Sequence, residues 1–304
     1  MLLAILGCAL NLVAVLAMAP LLQGAMRKIT ARIQSRQGPP LLQPYFDLLK
    51  LLGKEDIESG EIPAMQRFAA WLSLAAVLAV ACLLPLGFAA PMNAAADVIL
   101  LIYLLTLCGV GTLLAGLAAG STYSLIGVSR EMTAMLALEP LLAVALIVGA
   151  LHAASLRLDS VLSGSVYAAA GIPWSGLIMA AVILLSLQAF VQRAPFDTAE
   201  AETELMGGPC MEYSGPKLAL LQYAQMARLI VYAALFAALF LPWGAGLPFP
   251  AGWLLFWAKV SVMMLLVTVV AATHARYRID QAVRYFAGLL GVSAVALVLA
   301  TFGY

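Results

Sequence analysis

Asp197, Glu200, Glu202 and Glu204 fall in one short stretch, Gln192-Arg-Ala-Pro-Phe-Asp-Thr-Ala-Glu-Ala-Glu-Thr-Glu204, and Glu212-Tyr-Ser-Gly215 follows it. The whole chain has only 15 acidic residues and is 64% hydrophobic. Acids gathered at the end of an apolar segment are costly unless they serve ions or protons. If residues 196–206 are helical, Asp197, Glu200 and Glu204 share one face, and Glu202 points about 140° from Asp197. Like-charged carboxyls held close share protons, which suits a proton relay. The plainer reading is a solvated acidic loop. Against it, few other loops are acidic, and Phe190, Pro195, Phe196, Leu205 and Met206 bracket the cluster.

A second pair of acids lies upstream. Glu131 and Glu139 stand eight residues apart, about 12 Å along a helix and about 80° around it. Glu139 falls two turns inside an apolar run, just before Pro140, whose ring frees a carbonyl that water or another helix must satisfy. Glu131 reads equally well as a solvated acid favoured by the helix dipole. Gln222, Gln225 and Arg228 form a polar stripe inside a later apolar run and are expected to face the protein interior. Lys259, two turns inside another run, is left undecided between an interior place and snorkelling to the surface.

Cysteine and histidine carry no comparable pattern. Cys8, Cys82 and Cys108 sit inside apolar runs and Cys210 stands alone, with no spacing that holds zinc or an iron–sulfur cluster. His152 and His274 read as boundary residues at helix ends. A phosphate loop, a nucleophile elbow and a zinc-protease motif are all missing from the sequence. No resident metal or cofactor is expected, and no nucleic-acid partner.

The elements that must position these residues are membrane helices. A mean hydropathy of +1.02 with 10% charged residues excludes a soluble or a disordered chain. Eight apolar runs have about the length that crosses a bilayer as helix: 2–22, 68–88, 98–118, 132–152, 173–192, 217–241, 253–273 and 285–302. The first lacks a basic leader and a small-residue cleavage pattern, so it is read as a membrane helix and not a signal peptide. The fold expected is all-α, one polytopic domain over 1–304, with a long loop at 23–67 and an acidic loop at 193–216.

Basic residues orient it. Arg27, Lys28, Arg32, Arg36, Lys50, Lys54 and Arg67 lie in the first loop, Arg130 in the third, Arg193 and Lys217 in the fifth, and Arg276, Arg278 and Arg284 in the seventh. Only Arg157 falls in a loop on the other side. The positive-inside rule puts the odd loops in the cytoplasm, at the cytoplasmic membrane, with both termini outside. In the first loop, Gly38-Pro39-Pro40 sets a turn. After it, Leu41, Leu42, Tyr45, Leu48, Leu49 and Leu52 recur at helical spacing, an amphipathic helix suited to the bilayer surface. It serves either as a lipid anchor or as a platform for a soluble partner.

Several linked motifs now stand in fixed order: Arg36-Gln-Gly-Pro-Pro-Leu-Leu-Gln-Pro-Tyr-Phe-Asp-Leu-Leu-Lys50, Ser129-Arg-Glu with Glu139-Pro140, Ala194-Pro-Phe-Asp with its acids, Glu212-Tyr-Ser-Gly215, and Arg276-Tyr-Arg-Ile-Asp280. From about 20 to 285 the chain resembles the membrane subunit shared by respiratory complex I and the membrane-bound energy-converting [NiFe] hydrogenases. Gly38-Pro39-Pro40 runs directly into Leu41-Leu42-Gln43-Pro44, without the second Gly-Pro turn of complex I members, and Gly208-Pro209 is also hydrogenase-like. The resemblance therefore favours the hydrogenase branch. The alternatives are the quinone-pocket subunit of a complex I and, from another class, a stand-alone secondary ion transporter, although no internal repeat supports the last.

The resemblance implies a fold of eight membrane helices and a subunit that is not itself redox-active. It implies hydrogenase small and large subunits, a ferredoxin-like cluster subunit and an antiporter-like membrane subunit as partners. Those partners would carry the [4Fe-4S] clusters and the [NiFe] centre. Glu131, Glu139, Asp197, Glu200, Glu202, Glu204 and Glu212, with Arg228, would form an ion or proton relay. Arg36, Gln43, Asp47, Lys50, Arg276, Arg278 and Asp280 would meet the electron-transfer arm.

Overall fold

A computed structural model describes residues 2–57, 62–87, 92, 96–167, 172–244, 247–248, 250 and 251–303. Among them the chain is helical, and the only β-pairing is an isolated bridge between Asp97 and Arg157. Seven helices are long and apolar enough to cross a membrane: α1 (Leu2–Ile33), α3 (Pro63–Leu83), α4 (Val98–Ala119), α5 (Thr122–Ala153), α9 (Gly215–Phe240), α10 (Ala251–Thr273) and α11 (Ile279–Thr301). The eighth, α7 (Trp174–Phe190), is apolar and has 17 residues, at the short end of the crossing range. Between them lie α2 (Gln43–Leu52) and two single-turn helices, α6 (Leu158–Val161) and α8 (Glu202–Leu205).

Two boundaries differ most from expectation. The loop expected from residue 23 begins as helix, because α1 continues to Ile33. Its 32 residues span about 48 Å, well beyond the bilayer core of about 30 Å. Arg27, Lys28 and Arg32 are thus helical residues past the apolar stretch. The fourth span starts ten residues before expectation, at Thr122, where the Ser121 hydroxyl accepts from Ser124 N at 3.2 Å and caps the helix. Glu131 consequently lies inside α5 and not at a loop end.

Packing explains the polar residues that membrane helices carry. Pro20 inside α1 removes an N–H and frees the Leu16 carbonyl. The Tyr223 hydroxyl of α9 donates to that oxygen at 2.5 Å, and Tyr45 of α2 donates to the neighbouring Ala17 carbonyl. Lys259 of α10 resolves the same kind of problem. It donates to Leu241 O at 2.5 Å and to Trp243 O, carbonyls left open at the end of α9. Helix α9 is the centre of the bundle, with 83% of its apolar window buried, against 22% for α11. In α2, Pro44 and Leu48 turn inward while Phe46, Leu49 and Leu52 stay exposed, the amphipathic arrangement expected of it.

Candidate functional site

Four connecting segments meet on one face of the bundle. The acidic loop leaves α7 with Gln188 bonding both Ala194 O (2.5 Å) and Val267 O (3.0 Å). Phe196 then buries its ring among Tyr277, Tyr285 and Phe286, with centroids 5.0–5.4 Å away. Beside it, Arg276 grips Asp197 through two bonds of 2.7 Å. Tyr277 N donates to Pro195 O at 2.9 Å, so the turn before α11 is tied to the loop by backbone, charge and aromatic packing together.

The loop is not the helix expected over 196–206. It is a series of turns, and only Glu202–Leu205 forms a helical turn. Asp197, Glu200 and Glu204 therefore share no face. Each goes to a different partner: Asp197 to Arg276, Glu200 to Gln225 of α9, and Glu204 to Arg130 of α5 at 2.6 Å. The reason is geometric: the loop is threaded between α5, α9 and the turn before α11, and each supplies its own donor. The Glu202 side chain lies outside the described residues. Glu212 is half-buried in the turn before α9. The exposed Glu204 is held below the usual carboxylate range by its bond from Arg130 and by that charge. Burial pushes Glu200 the other way, above that range, against the opposing pull of Arg193 and Arg228.

Local sequence makes this threading possible. Gly208 has φ +54°, and a Cβ there would collide with Ala199 O, so no side chain fits. Pro209 after it wedges against Gly116 of α4 and Gly127 of α5. The Glu212-Tyr-Ser-Gly-Pro-Lys217 run then fastens the first loop. Tyr213 donates to Ala115 O at 2.8 Å and Ser214 Oγ accepts from Ile57 N at 3.1 Å. Gly215 (φ +56°) lets Glu55 O approach where a Cβ would stand 2.7 Å away. Lys217, buried, pairs with Asp56 at 3.2 Å.

Behind this face lie two chambers. The first, about 250 Å³, is lined among others by Gln23, Arg193, Glu200, Cys210, Gln222 and Gln225. The second, about 60 Å³, lies deeper and is lined among others by Thr106, Glu131, Glu139, Phe196 and Tyr232. Gln192 and Arg228 line both. Arg228 is 6% exposed and donates to Cys108 Sγ (3.3 Å) and Cys108 O (3.0 Å). Gln192 donates to the carboxylate of Glu131, which is 5% exposed. Glu139 Oε1 is buried with no protein partner, and the deeper chamber has room for about two waters beside it. Burial raises the Cys210 thiol to about 12.

The residues expected to meet an arm divide. Arg36 and Lys50 are exposed, as are Arg278 and Asp280, which pair with each other at 3.4 Å. Gln43 and Asp47 are instead engaged within the chain: Asp47 accepts from Gln43 and from Arg27, both at 2.9 Å, which ties α2 to α1. Arg276 is held by Asp197. The sequence reading gave no role to Gln192, Arg193 and Gln23, although Arg193 Nη2 bonds Gln23 Oε1 at 2.6 Å. Gln192 and Arg193 adjoin the acidic run and so carried a signal; Gln23, 170 residues away, carried none. Among the described residues, no group of three or more His, Cys, Asp or Glu side chains gathers as a metal site.

The sequence that builds these chambers matches the model of a known family, NADH dehydrogenase, over residues 6–302. The chain belongs to this family. It is 35% identical over 268 residues to hydrogenase-4 component C of Escherichia coli K12, covering 86% of this chain and 84% of that one. It is 32% identical over 290 residues to an NADH-quinone oxidoreductase subunit of Anaplasma phagocytophilum, covering 85% and 84%. A chain in the structure of the membrane-bound sulfane sulfur reductase, an archaeal respiratory membrane complex, superposes with a TM-score of 0.87 at 26% identity, over 98% of this chain and 99% of that one. This NADH dehydrogenase family member is therefore the membrane subunit that hydrogenases and complex I share, nearer in sequence to the hydrogenase relative. The sulfane sulfur reductase adds a branch that the motifs alone did not distinguish.

Proposed function

We propose that this chain is the membrane anchor and coupling subunit of an energy-converting complex of the hydrogenase type, seated in the cytoplasmic membrane with its multi-loop face in the cytoplasm. The electron-transfer arm, comprising the cluster-bearing and [NiFe] subunits, docks on that face, where Arg36 and Lys50 project. Redox turnover there shifts the acidic loop and alters proton occupancy along Glu200, Glu131 and Glu139. An antiporter-like neighbour receives the consequence as H⁺ or Na⁺ movement. The chain itself holds no redox group in this reading; the [4Fe-4S] clusters and the [NiFe] centre belong to the partners.

One observation carries the proposal: the two chambers share Gln192 and Arg228, so buried polar groups run from the loop face to the partnerless oxygen of Glu139. Glu139→Gln should assemble, keep dye-linked activity in the arm, and lose most coupled ion movement in vesicles. A normal gradient in that variant would remove Glu139 from the relay.

A second reading is favoured by the likeness to the sulfane sulfur reductase, in which the same membrane base serves an arm with another electron acceptor. Assaying the purified complex with protons, sulfane sulfur and quinone as acceptors separates the branches. Turnover with quinone, blocked by a quinone analogue, would move the chain to the complex I branch.

A further inference from the structure

The larger chamber has a charge pattern that a proton path does not require. Among the described residues, Glu200 is the only carboxylate in its lining, with Arg27, Arg193 and Arg228 beside it. Arg27 is already paired with Asp47. The other two guanidiniums spend their bonds on neutral groups: Arg193 on the Gln23 amide oxygen, Arg228 on the sulfur and carbonyl of Cys108. Among the described residues neither has a carboxylate within 4.0 Å. Glu200 itself accepts from Gln225, not from an arginine.

Neither guanidinium makes a direct ion pair: Glu200 acts on both, and Glu131 on Arg228, only across the chamber. A cation out of bulk water that is neutralised only at a distance remains costly. The planar N–H forks of the two arginines match the two oxygens of a carboxylate. Gln222 and Gln225 add amide groups to the same wall, and about 250 Å³ holds a small anion together with several waters. We propose that this chamber binds a one- or two-carbon carboxylate between Arg193 and Arg228. The site uses the chamber assigned above to coupling but does not depend on coupling, so binding and ion movement can fail separately.

The test is equilibrium dialysis of the purified, detergent-solubilised complex with radiolabelled acetate, ionic strength being fixed with chloride. Wild type should take up acetate saturably, about one per subunit. Arg193→Gln should abolish uptake, while Lys54→Gln, at an exposed cation outside the chamber, should leave it intact. Glu200→Gln removes the competing carboxylate and should tighten binding several-fold. Arg193→Lys keeps the charge but loses the fork, and should weaken binding about tenfold; it decides the matter if Arg193→Gln does not assemble. Absence of saturable uptake by wild type, or equal affinity in wild type and Arg193→Lys, would overturn the proposal.

Discussion

Replacing Asp197 with Asn should loosen the acidic loop without unfolding the bundle. Asp197 and Arg276 are joined by two bonds of 2.7 Å, with side chains 20% and 28% exposed. A fully buried pair broken by removing one partner costs about 3–5 kcal/mol, and an exposed pair about 0–1. Partial burial and bidentate geometry place this one at about 2 kcal/mol. Asn retains one acceptor but leaves the guanidinium without its counter-charge. Phe196 still packs among three aromatic rings, so the loss should appear as local opening. Cys210 is a suitable reporter, because it lines the chamber beneath the loop and is only partly exposed while the loop is closed. About 2 kcal/mol corresponds to a roughly 30-fold increase in the open population. Maleimide labelling of the Cys210 peptide, followed by mass spectrometry, should accelerate by that order. Arg276→Gln should act similarly, and the double variant should label more slowly than the two singles combined predict. An unchanged Asp197→Asn rate, or strict additivity in the double variant, would refute the view that this pair holds the loop down.

Glu200 gives a pH prediction. Burial raises its carboxyl in the folded chain, so the ionised form costs stability above the folded value, and that cost fades as pH falls toward the ordinary range near 4. Glu200→Gln should therefore raise the thermal midpoint of the complex at pH 8, with a gain that shrinks toward pH 5; a pH-independent difference would contradict the assignment. Charge reversal of the exposed Arg36 and Lys50 should release the arm's activity into the soluble fraction, and undiminished membrane attachment would exclude them from docking.

Hydropathy made the membrane class legible, because eight runs near the crossing length leave a chain no other way to bury its backbone polar groups. Loop basicity pointed to one face, and that is the face on which Asp56, Arg130, Arg276 and the acidic loop meet. The ends of helices were harder. The extension of α1 to Ile33 hides behind Arg27, Lys28 and Arg32, whose charge reads as loop although they continue a helix past the bilayer. The start of α5 was within reach, since Ser121 is a common N-cap type, but the apolar run drew the boundary to 132. The acidic cluster marks the difference most clearly. Its composition singled out the segment, but spacing suggested a shared helical face that the chain does not form. Asp197, Glu200 and Glu204 find donors 79, 25 and 74 residues away. Glycine at 208 and the Pro209 wedge thread the loop among those walls. Carboxylates near a membrane settle where a charged or amide donor can reach them, and such partners come together only when distant helices pack.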